Sequence, residues 1–241
     1  MLYNSIFSSE KKKLAVLIDP DKQDDKETAV LSDKIQENGA DLIFVGGSLL
    51  SKNINQTIEI IKNQTDLPVV LFPGSHIQIS EKADALLFLS LISGRNPDLL
   101  IGSHVVAAPF LKDSSLEIIS TGYILIDGNR MTSVEYMSNT KPIPADKIDI
   151  ITATAIAGEM IGHKLIYLEA GSGARDHVSK EVISEVKKNI NIPLIVGGGI
   201  SDIDSVKEVC YAGADIIVIG NAFEKRSDLI RSFADTIKSI P

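Results

Sequence analysis

Glu169 ends an apolar run, Leu165-Ile166-Tyr167-Leu168, and is followed at once by the small-residue turn Ala170-Gly171-Ser172-Gly173-Ala174. A carboxylate at the end of a buried run needs a partner. A bound alcohol that must lose its proton would supply one, which makes Glu169 the candidate general base. The plain alternative is a Glu neutralised by an internal cation such as Arg175. Two later runs close in the same small-residue grammar: Val196 is followed by Gly197-Gly198-Gly199-Ile200, and Ile219 by Gly220-Asn221-Ala222. Backbone that side chains do not crowd can offer its N–H groups to a phosphate. Three such turns in series, the second opening onto a helix capped by Ser201, describe a phosphate cup at one end of a barrel.

Polar residues at other strand ends complete the candidate set. Asp19 opens Asp19-Pro20-Asp21-Lys22, and Ser48 closes Val45-Gly46-Gly47-Ser48. A carboxylate and a hydroxyl at neighbouring strand ends could hold a hard cation such as Mg²⁺, which keeps several waters and substrate phosphate oxygens. Asp21 and Lys22 have a simpler reading as the start of a helix. Tyr167 joins the site if its ring points into the barrel mouth. The four histidines, His76, His104, His163 and His177, lack metal-ligand spacing and read as surface or helix-end residues. No Walker lysine motif, nucleophile elbow or dinucleotide fingerprint is present.

The elements that must position these residues are eight short apolar runs rich in β-branched residues: 14–18, 42–45, 69–72, 85–89, 122–126, 165–168, 194–196 and 216–219. Continuous rather than alternating hydrophobicity marks parallel strands covered on both faces. Helical spacing fills most of the intervals: 23–38 stops at Asn38-Gly39, 54–62 repeats it, 97–110 is limited by Pro109, and 145–162, 178–190, 201–211 and 227–237 follow. Interval 74–84 is barely long enough, and Ile77-Gln78-Ile79 alternates like extended chain. Eight strand–helix units with a shortened or missing third helix predict a single-domain (β/α)₈ TIM barrel over residues 1–241; a doubly wound sheet is the competitor. The long stretch Asp127 to Pro144 reads as a lid or an interface segment.

With 241 residues, 44% of them hydrophobic, the chain can bury a full core. Net charge −8 and a pI of about 5.0 argue against a nucleic-acid or anionic-membrane surface. A single cysteine, Cys210, excludes a disulfide framework and fits a cytoplasmic setting. Neither a signal peptide nor a membrane span is legible.

Tyr167 to Gly173, Gly197-Gly198-Gly199-Ile200, Gly220-Asn221-Ala222, Asp19 to Lys22 and Val45 to Ser48 together resemble the geranylgeranylglyceryl phosphate synthase family over nearly the whole chain. Thr132 to Tyr136 and Asn139 to Pro144 are similar to it as well. The resemblance implies a Mg²⁺-dependent prenyltransferase. It would join the 3-hydroxyl of sn-glycerol 1-phosphate in ether linkage to an allylic prenyl diphosphate, with geranylgeranyl diphosphate the expected donor, and release diphosphate. Carried over, Tyr167, Leu168, Glu169, Ala170, Gly171, Ser172 and Gly173 would hold the glycerol phosphate, Gly198, Gly199, Gly220 and Asn221 its phosphate, and Asp19 and Ser48 the metal. The family's altered third helix agrees with the short crossover, and self-association is implied. One departure is Leu17, where some relatives carry a Lys. Another phosphate-cup biosynthetic enzyme, or a metabolite sensor that kept the cup without the chemistry, remains the alternative.

Overall fold

The structure, a computed structural model, describes residues 1–241, with Lys225 described by its backbone alone. Eight parallel strands close into a barrel in chain order: β1 Lys13–Ile18, β2 Leu42–Val45, β3 Val69–Leu71, β4 Ala85–Leu91, β5 Glu117–Leu125, β6 Leu165–Glu169, β7 Leu194–Gly197 and β8 Ile216–Ile219. The seam is β1 on β8, in register from Lys13 opposite Ile216 to Val16 opposite Ile219. All eight expected runs are strands. The fifth reaches further back than its apolar portion, because Glu117 to Thr121 pairs in full with β4.

Around the barrel lie α1 Asp25–Glu37, α2 Ile54–Gln64, α3 Ser103–Lys112, α4 Ser133–Ser138, α5 Ile148–Met160, α6 Lys180–Asn189, α7 Ile203–Tyr211, α8 Asn221–Lys225 and α9 Ile230–Ser239. No helix is assigned between β3 and β4, as the sequence implies. Asp24 starts α1 through a reciprocal capping box with Glu27. The cap of α7 is Asp202, whose carboxylate accepts from the Ser205 N–H while the Ser205 hydroxyl supports the Asp202 backbone, so Ser201 is not the capping residue. Pro109 lies inside α3 rather than ending it. Its missing N–H leaves the Val105 carbonyl without a helical donor, and Val105 is exposed, so water can take that bond.

Side chains on each strand alternate between two cores. Ile166 and Leu168 face outward and pack beneath the helices with residues such as Val182 and Val186. Leu165 and Tyr167 face the bore beside Phe44, Val70, Leu87 and Ile195. The start of the chain, with a helical turn at Tyr3–Phe7, closes the bore where the strands begin. Phe7 is buried and stacks on Phe44 at 6.4 Å between centroids, and the Leu2 and Tyr3 amides donate to the Glu117 carboxylate. Functional groups are thereby confined to the opposite end.

Candidate active site

At the carboxyl ends of the strands one cavity of about 1310 Å³ opens. Tyr167, Glu169, Ser172, Gly173, Gly198, Gly199, Gly220 and Asn221 line it at the ends of β6, β7 and β8, and Asp19 and Ser48 at the ends of β1 and β2. The sequence-derived candidates are therefore brought together with three exceptions. Leu168 and Ala170 point outward into the helix-facing core, as strand alternation dictates for the neighbours of Glu169. Gly171 does not line the cavity either, and its N–H is already used, donating to Glu169 Oε1 at 2.6 Å. These three residues shape the turn rather than present groups to a ligand.

Glu169 is buried, 6% exposed, at the mouth end of the bore. Burial pushes its carboxyl up to about 7, against the Gly171 N–H and the Tyr167 hydroxyl, which favour the ionised form. No ion pair to it forms among the described residues, and Arg175 instead lies exposed on the cavity wall. A carboxyl that changes state near neutrality can take a proton and give it back. Tyr167 does face the bore, where it is fully buried and stacks on Phe72 at 5.2 Å. Its hydroxyl lies near Glu169 yet makes no hydrogen bond of normal geometry, and burial together with the charge of Glu169 raises its pKa.

The glycine turns stand close to Glu169. Gly198 adopts φ +83°, and a Cβ there would lie 2.4 Å from Glu169 Oε1 and 2.6 Å from the Gly171 nitrogen. Gly199, at φ +72°, would place one 2.6 Å from the Asp176 carbonyl oxygen. Only glycine permits this close approach of three backbone segments. The Ser172 hydroxyl and the Asn221 amide hydrogen-bond to each other across the β6 and β8 turns, at 3.1 to 3.3 Å. An anion in this corner would meet backbone amides, a hydroxyl and a side-chain amide.

At the neighbouring corner, after β1, the Asp19 carboxylate accepts from the Asp21 N–H at 3.1 Å, and its other oxygen faces the Lys22 ammonium at 3.7 Å. Desolvation raises its pKa, while those two partners pull it down. Gly47 touches Asp19: a Cβ on Gly47 would lie 3.1 Å from Asp19 Oδ1, and Ser48 follows directly. One carboxylate and one hydroxyl are hard oxygen donors, and no cluster of three His, Cys, Asp or Glu side chains exists among the described residues. That donor set fits Mg²⁺ completed by water and phosphate oxygens, and would not suit a metal needing an all-protein cage. Asp21 is not part of it. Its carboxylate accepts from the Ser51 N–H and hydroxyl and from the Lys52 N–H, which hold its pKa low despite slight desolvation.

Sequence reasoning gave Lys22 no role in the site. Its ammonium lies 2.6 Å from Asn221 Oδ1, 3.3 Å from Glu224 Oε1 and 3.7 Å from Asp19 Oδ2, spanning the gap between the two corners. The turn after Asp19, in which the Lys22 N–H donates to the Asp19 carbonyl, aims it there. His104, expected at the surface or at a helix end, does stand in the first turn of α3, but it is buried along the cavity wall, bonded to the Ser90 hydroxyl and set edge-on to Phe88. Residues 127–144 are not a bare loop. They carry α4, and Thr132 packs so closely on Gly171 that a Cβ there would lie 2.4 Å from Thr132 Cγ2. Towards β3, β4 and α3 the cavity lining includes the apolar side chains of Phe72, Leu87, Leu89, Leu99 and Ala107, an apolar groove.

Residues 7–237 match the PcrB family. Among proteins of similar sequence, a geranylgeranylglyceryl phosphate synthase of Chitinophaga pinensis is 52% identical over 240 residues, covering 98% of this chain and 95% of the relative. One of Methanosphaera stadtmanae is 40% identical over 220 residues, covering 91% and 90%. Among solved structures, (S)-3-O-geranylgeranylglyceryl phosphate synthase from Thermoplasma acidophilum, in complex with substrate sn-glycerol-1-phosphate, is similar with a TM-score of 0.91 and 35% identity, covering 96% of this chain and 95% of that one.

Proposed function

The chain belongs to the PcrB family, and we infer that it is a geranylgeranylglyceryl phosphate synthase-type prenyltransferase. It forms an ether bond between the 3-hydroxyl of sn-glycerol 1-phosphate and C1 of an allylic prenyl diphosphate, geranylgeranyl diphosphate being the donor. The observation that carries this reading is one continuous cavity that joins a phosphate cup, a buried carboxylate of pKa about 7 and an apolar groove.

Backbone amides of Gly198, Gly199, Gly220 and Asn221, with the Ser172 hydroxyl, hold the glycerol phosphate and so fix the glycerol hydroxyl beside Glu169. Positioning of this kind can contribute several kcal/mol, since a bimolecular encounter becomes an internal one. As the allylic C–O bond breaks, its electron pair leaves on the diphosphate. The glycerol oxygen bonds to the allylic carbon, and its proton passes to Glu169. Phe72, Leu87 and Leu89 keep water from the allylic cation and its tail. Asp19 and Ser48 would hold Mg²⁺, which when bound supplies charge opposite the departing diphosphate. Exposed Val105, Val106 and Phe110 of α3 support self-association, and among the described residues no helix is long and apolar enough to cross a membrane.

The test is incubation with radiolabelled glycerol 1-phosphate and prenyl diphosphates of several lengths, with and without EDTA. Label should pass into an organic-soluble product, most efficiently with the geranylgeranyl donor, and EDTA should abolish the transfer. Absence of product with every donor would overturn the reading, and transfer that persists in EDTA would remove the metal from it.

A further inference from the structure

In place of a third helix the chain between β3 and β4 supplies Gln78, which is 4% exposed. Its side-chain amide uses both ends. Oε1 accepts the Gly74 N–H at 2.9 Å, and Nε2 donates to the Gly47 carbonyl at 2.9 Å. These two backbone groups belong to different strand-end turns, after β3 and after β2. No strand ladder satisfies them; Gly74 is exposed, so water can also serve its N–H, whereas the half-buried Gly47 carbonyl depends more on the amide.

The turns it joins are in backbone contact. A Cβ on Gly46 would lie 1.8 Å from the Phe72 carbonyl oxygen, and one on Gly74 would lie 2.4 Å from the Gly47 carbonyl oxygen and 2.9 Å from Ser48 Cα. Gly47 also abuts Asp19 on its other side. Movement of the Gly47 peptide would therefore change the spacing of Ser48 from Asp19. Gln78 lines the cavity beside the β2 and β3 turns, while Glu169, Gly198 and Gly199 belong to the ends of β6 and β7, at least three strands away round the barrel.

We propose that Gln78 is a positioning residue for the cation and diphosphate subsite: its amide clamps the Gly47 carbonyl and so sets Ser48 against Asp19, without acting on the glycerol-phosphate cup. This rests on the function inferred above. A carboxylate at position 78 would still accept from Gly74 but would face the Gly47 carbonyl oxygen with a second acceptor. A leucine would take the partner from both backbone groups, leaving the Gly74 N–H to water and the half-buried Gly47 carbonyl without its donor.

Wild type, Gln78→Glu and Gln78→Leu are compared by calorimetry with two probes: Mg²⁺ plus inorganic diphosphate, and sn-glycerol 1-phosphate in metal-free buffer. Thermal melts establish that each variant is folded. Supporting partners of metal ligands are typically worth about 10- to 100-fold in affinity, so Mg²⁺–diphosphate binding should weaken by that factor in both variants. Glycerol 1-phosphate affinity should stay as in wild type. Parallel loss for both probes would mean a merely structural role, and unchanged Mg²⁺–diphosphate binding in folded Gln78→Glu would overturn the clamp. Should Gln78→Leu fail to fold, Gln78→Glu decides, since it keeps the volume and one hydrogen bond. Wild-type turnover judges the reaction, and the ratio of the two affinity changes judges the clamp, so either can fail alone.

Discussion

Glu169→Gln should make the protein more stable and less active, with both effects set by the same burial. The folded carboxyl keeps its proton to a pKa of about 7, against 4.5 for the group in solvent. Between those values the folded state binds more protons than the unfolded one, so stability falls as pH rises through the window and the loss is complete above pH 7. At about 1.4 kcal/mol per unit, the buried charge costs about 3 kcal/mol at pH 8 and under 1 kcal/mol at pH 5. Gln is of the same size, and its carbonyl oxygen can still accept from Gly171, so it avoids this cost at every pH. For a chain of this length roughly 2–4 °C accompanies each kcal/mol, which puts the melting point of the variant roughly 6–12 °C above wild type at pH 8 and close to it at pH 5. Turnover should drop by about 10²- to 10⁴-fold, the usual worth of a general base, while glycerol 1-phosphate binding persists. In wild type, kcat/KM should climb tenfold per pH unit up to about 7 and then level. Melting curves without ligand at the two pH values, with calorimetry and the transfer assay, read all of this. A variant no more stable at pH 8 would refute the burial reasoning, and unchanged turnover would remove Glu169 from the proton transfer.

Gly198→Ala puts a methyl carbon 2.4 Å from Glu169 Oε1 at a φ of +83°, so glycerol 1-phosphate binding should become undetectable by calorimetry and stability should fall by about 1–3 kcal/mol on denaturant titration. Lys22→Met removes the ammonium that lies among Asp19, Glu224 and Asn221. With an exposed pair worth up to about 1 kcal/mol, KM for the prenyl diphosphate should rise severalfold, while less Mg²⁺ is needed for half-maximal rate because Asp19 loses a competing cation. A KM equal to wild type would make Lys22 a tether only.

Strands were legible in this chain because parallel strands buried on both faces read as unbroken apolar runs, and Leu42 to Val45 or Ile216 to Ile219 admit little else. The first half of β5 was not, since Glu117 and Ser120 carry polar groups that tertiary partners satisfy, Glu117 by the Leu2 and Tyr3 amides and Ser120 by His163, while the Thr121 hydroxyl turns back to the Ile119 carbonyl. Helices α4 and α8, of six and five residues, are too short to show a hydrophobic period. The glycine turns, Glu169, Asp19 and Ser48 could be found because each breaks or ends an apolar run. Leu168 and Ala170 were placed in the cup by motif alone, where the two-residue alternation of a strand, counted from Glu169, already turned them outward. Gln78 offered no such signal. A polar residue between Ile77 and Ile79 looks like any exposed position, and its role depends on two turns that meet only in the folded chain.

Phe7 stoppers the bore where the strands begin, which leaves the rim at the strands' carboxyl ends as the way in and out of the bore. On the function inferred above, both reactants, the departing diphosphate and a product far greasier than either polar head meet at that rim rather than passing through the floor. Residues 127–144, whose Thr132 packs against Gly171 and lines the cavity with Ser133 and Val134, stand beside the same path.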